Sequence, residues 1–121
     1  MTKDEILNKL PNFYGTENYH RWSVLFRNFV LTDGAKFIAD ECGAYWLMDA
    51  IASYLSRYRD NGFAVAELKK HKTGFVLTIE DGDYSALAQQ PIEYSDFPLD
   101  EITLFVCQMD DLWVIMRTSE Y

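Results

Sequence analysis

Near residue 62 the spacing of apolar residues in this 121-residue chain changes from steps of three and four to steps of two. Upstream, Ala44, Leu47, Met48, Ile51, Leu55 and Tyr58 recur as one stripe of an α-helix would. Downstream, Phe75, Leu77 and Ile79 alternate with Val76, Thr78 and Glu80, the pattern of a strand whose two faces differ. Arg59-Asp60-Asn61-Gly62 lies between the two regimes, and Asn and Gly tolerate positive φ and stop a helix well. The chain therefore reads as one α+β domain, helical over 1–60 and sheet-forming over 61–121. A hydrophobic content of 49% supplies one core at this length, with no room for a second.

Within the first half, Gly43 interrupts the densest helical stretch, Leu31 to Tyr54. A glycine there takes the left-handed conformation that ends one helix before the next begins, and Thr32 or Asp33 caps the first of the two. Thr2 to Leu10 forms a short helix ended by Pro11, which lacks a backbone N–H. Trp22, Leu25, Phe26, Phe29 and Val30 repeat at helical spacing with Arg21, Arg27 and Asn28 opposite, predicting a further amphipathic helix after the aromatic connector Phe13–Trp22. In the second half, Phe63–Lys70 and Gly74–Glu80 predict a hairpin through His71-Lys72-Thr73. Asp81-Gly82 then turns the chain into a strand that starts around Tyr84 and sits at an edge near Pro91, continuing through Ile92-Glu93-Tyr94, because proline cannot donate to a central ladder. Asp96-Phe97-Pro98 reads as a loop, and Ile102–Cys107 with Leu112–Arg117 as a hairpin near the sheet centre. The expected architecture is about three helices packed on one face of a mostly antiparallel sheet of four to five strands.

Charge is unevenly divided along the chain. The net charge is −8, yet residues 80–121 carry ten carboxylates against one base, Arg117, whereas the first 79 residues are nearly neutral. Such a field repels phosphate backbones and anionic membranes and favours cationic partners. No apolar run approaches the roughly 20 residues that span a bilayer, and Met1-Thr-Lys-Asp-Glu-Ile-Leu lacks the pattern of a secretion signal, so a cytoplasmic protein is expected. Cys42 and Cys107 are too few and too far apart for a disulfide framework or a zinc site and read as small core residues.

Several ordered strings carry a resemblance. Phe13-x-Gly-Thr-Glu-x-Tyr-x-Arg21, Thr32-Asp-Gly-x-Lys-Phe37, Gly43-Ala-Tyr-Trp-Leu-Met-Asp-Ala-Ile-Ala-Ser53, Ile92-Glu-Tyr-Ser-Asp-Phe-Pro-Leu-Asp-Glu-Ile102 and Ser119-Glu-Tyr121 together resemble a family of small bacterial proteins known only as a domain of unknown function. The similarity covers nearly the whole chain and implies a single domain. It implies no activity and no catalytic residue.

Two functional expectations follow from the residues. The first is a non-enzymatic acidic module that binds a protein partner, a basic one by its charge, through a sheet edge bearing Asp96, Asp100 and Glu101 with Phe97 as apolar anchor. Like charges on that edge disfavour self-pairing, leaving a monomer or a homodimer joined through its helices. The second is a small enzyme or anion-binding domain in which Thr32, Asp33 and Lys36 hold a phosphate or carboxylate at a helix start, although Asp33 itself can satisfy the same donors. No Walker sequence, Gly-x-Gly-x-x-Gly or Gly-x-Ser-x-Gly occurs, and His20 and His71 lack the spacing of metal ligands, so no cofactor, metal or catalytic residue is assigned. Tyr45, Trp46, Asp49 and Ser53 lie off the buried stripe of their helix, which either is the central one, wrapped by the aromatic connector at Tyr14, Tyr19 and Trp22, or shows an aromatic patch to a partner.

Overall fold

A computed structural model describes residues 1–57, 62–72, 74–81, 86–93 and 96–121. The expected stop at Arg59-Asp60-Asn61, the turn at Thr73, the Gly82 turn, the strand start near Tyr84 and the continuation at Tyr94 lie outside the described residues. Helix α1 spans Lys3–Lys9, where Thr2 accepts the Glu5 N–H and Glu5 reaches back to Thr2, a reciprocal pair that satisfies two otherwise unpaired donors. Helices α2 (Asp33–Glu41) and α3 (Tyr45–Leu55) meet at Gly43, which has φ of 58°. The Ala44 N–H returns to the Ala39 carbonyl at 2.9 Å, closing α2 with the left-handed stop that the glycine predicts.

Strands β1 (Phe29–Leu31), β2 (Phe63–His71), β3 (Gly74–Glu80), β4 (Ala86–Ile92), β5 (Glu101–Met109) and β6 (Leu112–Arg117) form one sheet in the order β1-β6-β5-β2-β3-β4. Every pairing is antiparallel except β1 with β6. The β5–β6 hairpin is central as expected, and Pro91 sits on the edge strand β4.

Among the described residues six strands stand where four to five were expected, and the difference is β1. The spacing of Trp22 to Val30 mimics a helix, but Phe29, Val30 and Leu31 are all buried in succession, which a strand covered on both sides allows. Phe29 and Leu31 join the main core, while Val30 joins a smaller cluster with Val114 and Met116. The partner that stabilises this strand, β6, lies more than 80 residues away, so local periodicity carries no trace of it. Leu25, expected on the buried stripe of the same helix, is 83% exposed.

The main core unites Ile6 and Leu10 with Ala35 and Ile38 of α2, Leu47, Met48, Ile51 and Leu55 of α3, and the alternating inward residues of β2, β3, β5 and β6. Burial alternates residue by residue along β2, β3 and β5, as a period of two requires. Among the described residues no helix is long and apolar enough to cross a membrane.

Candidate functional site

The start of α2 is where the sequence places an anion, and the chain supplies that anion itself. Thr32 is the N-cap, accepting the Ala35 N–H at 3.2 Å, so its φ and ψ are extended while the helix begins behind it. Glu120, in the short 3-10 turn Thr118–Glu120, brings its carboxylate onto this end: Oε2 accepts from Gly34 N at 3.0 Å, and Oε1 accepts from the Thr32 hydroxyl at 2.7 Å and from Arg117 N at 2.9 Å. A helix start offers unpaired N–H groups and the positive end of the dipole, and a carboxylate is their natural complement. Asp33 faces elsewhere. Its Oδ1 lies 2.8 Å from His20 Nε2, its Oδ2 accepts from Glu17 N at 3.1 Å, and the His20 contact, followed by that backbone donor, holds its carboxyl below the usual range. Lys36 turns along the helix to Asp40 at 2.6 Å. That contact and the Tyr45 hydroxyl lower the Asp40 carboxyl, while burial and Asp40 together push the Tyr45 phenol up to about 12.

Asp96, Phe97, Asp100 and Glu101 do not make an acidic edge with an apolar anchor. Phe97 is 6% exposed and stands perpendicular to Phe75 and Trp46, at centroid separations of 5.7 and 6.5 Å, because its ring contributes far more inside the core than on the surface. Strand β5, which begins at Glu101, lies between β2 and β6, and the sheet edges are β1 and β4; Glu101–Thr103 pair with β2 alone, since the β6 register starts at Leu104 and Arg117. Asp100 has a base beside it, with Lys3 Nζ at 3.1 Å; Lys69 stands across from Glu101 in the strand register while its Nζ lies 3.3 Å from Glu67, and the Lys70 backbone N–H donates to the Asp100 carbonyl. Folding brings the lysine-rich end of β2 against the acidic entry to β5 and breaks up the negative block seen in the linear sequence.

A different surface assembles from residues that sequence spacing half-revealed. Trp46, Asp49, Ala50, Ser53, Tyr54 and Arg57 repeat at three and four along α3 and its end, opposite the buried stripe, and line an open cleft of about 610 Å³. Its other wall is Ser23, Leu25 and Phe26 from the segment before β1, with Gln90 of β4 at the end. Trp22 Nε1 donates to Asp49 Oδ1 at 2.8 Å, which ties that segment to α3, and the Tyr54 hydroxyl donates to Gln90 Oε1 at 2.9 Å. Trp22 thus wraps the helix, whereas Tyr14 and Tyr19 remain exposed. On the far side of the same segment a second hollow of about 570 Å³ lies between Arg21, Val24 and Arg27, with Arg21 Nε donating to the Arg27 carbonyl. Val24 and Leu25 stand 79% and 83% exposed at the crest between the two. The helical spacing of Trp22 to Val30 gives no sign of this wall, whereas the second apolar side of α3 is legible in the sequence.

Nucleophilic chemistry finds little support in the thiols. Burial raises the Cys42 thiol to about 11 and also raises the Cys107 thiol, which disfavours the thiolate that a nucleophile needs. Among the described residues no three His, Cys, Asp or Glu side chains converge to hold a metal ion.

No curated protein and no solved structure matches the chain. Over residues 4–121, its sequence matches the model described as "Family of unknown function (DUF6876)". The five sequence motifs pointed to such a family of unknown function, and to it the chain belongs.

Proposed function

We propose that this protein is a non-enzymatic binding module whose partner is a protein, gripped at the cleft between α3 and the Arg21–Asn28 segment. The observation that carries the reading is the crest of Val24 and Leu25, two adjacent aliphatic side chains left in water beside an aromatic-walled cleft. Contiguous apolar surface rimmed by charge is the usual mark of a protein interface, and Trp, Tyr and Arg are the usual anchors. The rim here is cationic, with Arg21, Arg27 and Arg57, and among the described residues that line the two hollows only Asp49 opposes it, already accepting from Trp22.

The fitting partner segment therefore has an apolar side chain for Phe26, Trp46 and Tyr54 and carboxylates for the arginines. This reverses the charge expected from the chain total of −8. At contact distance the nearest charges dominate, since salt screens others beyond roughly 8–10 Å. The layered build, with helices over the inward face of the sheet, fits a module whose binding groups are held on a packed scaffold.

A photoreactive side chain at Val24, with a control at Glu41, tests the reading in cells that express the protein. One discrete protein adduct is expected at Val24 and not at Glu41, lost in Leu25→Asp and in Arg57→Glu. The reading fails if the adduct survives both substitutions, or if none forms.

A further inference from the structure

Arg117, the last residue of β6, shares the parity of Trp113 and Ile115, both buried in the main core, so its side chain starts on the inward face of the sheet. It is half-buried, and its Nε is shielded from solvent with no hydrogen-bond partner. Among the described residues no carboxylate lies within ion-pair distance of its guanidinium; Glu120, three residues on, spends its oxygens on Thr32, Gly34 and the Arg117 backbone N–H. Desolvation lowers the Arg117 pKa, with Glu120 acting in the opposite sense at longer range. A partly desolvated cation without an acceptor is costly, and such a group calls for a specific counter-ion.

The same side chain lines an open cleft of about 380 Å³. Leu7, Leu10, Leu99 and Ile102 give it an apolar wall, and Thr103 and Thr118 add two hydroxyls. Glu101 also lines it, opposite Lys69 in the strand register. One arginine with one carboxylate nearby favours a singly charged anion over a phosphate dianion, and a planar guanidinium pairs best with a planar carboxylate. The leucine wall adds a preference for an aliphatic group beside that carboxylate.

We propose that this cleft binds a monocarboxylate bearing an aliphatic group, with the carboxylate on Arg117 and the aliphatic part against Leu7, Leu10 and Leu99. A free organic acid and the C-terminal carboxylate of a peptide ending in an apolar residue share that chemistry. The site is separate from the α3 cleft, and neither reading depends on the other.

NMR titration of the Arg117 Nε–H and the Leu7 methyl resonances with hexanoate, and separately with N-acetyl-Ala-Leu, distinguishes the two sources. A saturable shift of both resonances is expected with at least one of them, and none with hexanol or with the peptide amide. Arg117→Gln and Leu7→Asp should each weaken binding about tenfold or more. Leu7 is 45% exposed, so Leu7→Asp keeps the test valid if Arg117→Gln fails to fold. The proposal is overturned if neither carboxylate shifts the resonances saturably, if hexanol or the amide shifts them equally, or if Leu7→Asp binds like the parent.

Discussion

Glu120, one residue from the C-terminal Tyr121, sits on the first turn of α2 with its Oε2 3.0 Å from the backbone nitrogen of Gly34. The contact joins residues 86 apart and requires the glycine: a Cβ at position 34 would lie 2.3 Å from Glu120 Oε1 and 2.9 Å from Arg117 Cγ. Backbone and carboxylate meet only because no side chain intervenes.

Gly34→Ala should therefore destabilise the protein by about 1–3 kcal/mol, the usual cost of overpacking, despite alanine's better helix propensity. In a Glu120→Ala background the same substitution should cost less than half as much, because the main obstruction is gone. Urea unfolding of the four proteins in the cycle measures this coupling, and equal costs in both backgrounds would refute it.

Asp33 gives a pH dependence with a definite sign. His20 and then the Glu17 N–H hold its carboxyl below the ordinary value, so the contact stabilises the fold above the unfolded pKa near 4 and is lost as pH falls through the lower folded value. Asp33→Asn should cost about 1 kcal/mol or less at pH 7, since the group is partly exposed, and the difference from the parent should vanish in acid. Thermal melts from pH 7 to pH 2 follow it; a gap that widened in acid would contradict the assignment.

Phe97 separates a core residue from an interface anchor. Phe97→Ala should cost about 3–5 kcal/mol, because Trp46 and Phe75 lose their perpendicular partner, while Asp96→Lys nearby should stay within about 0.5 kcal/mol. Denaturant midpoints for the two variants decide the matter.

Asp110 occupies the left-handed region with φ of 56° in the two-residue turn between paired Met109 and Leu112. Asp110→Val should destabilise by about 1–2 kcal/mol, since a β-branched side chain is strained there, while Asp110→Gly and Asp110→Asn should be tolerated. Comparable losses in all three would place the cost in the carboxylate instead of the backbone.

The features legible from the order of residues are those whose causes lie within a few positions of each other. Gly43 ends α2 because only its own φ matters; Pro91 keeps β4 at an edge because its own nitrogen lacks a proton; the inward side chains of β2, β3 and β5 follow from a period of two. The family resemblance rests on the same local strings. Folding settles that Phe29–Leu31 pairs in parallel with β6, that Lys3 pairs with Asp100 before β5, that Phe97 is core, and that Glu120 takes the helix start offered to an anion. Each of these depends on a partner at least 22 positions away, and periodicity within a window records which side of an element is apolar, never which distant segment will cover it. The α3 cleft falls between the two cases: its helical half is readable as a second apolar face, whereas its other wall exists only once β1 has drawn the preceding segment across the helix.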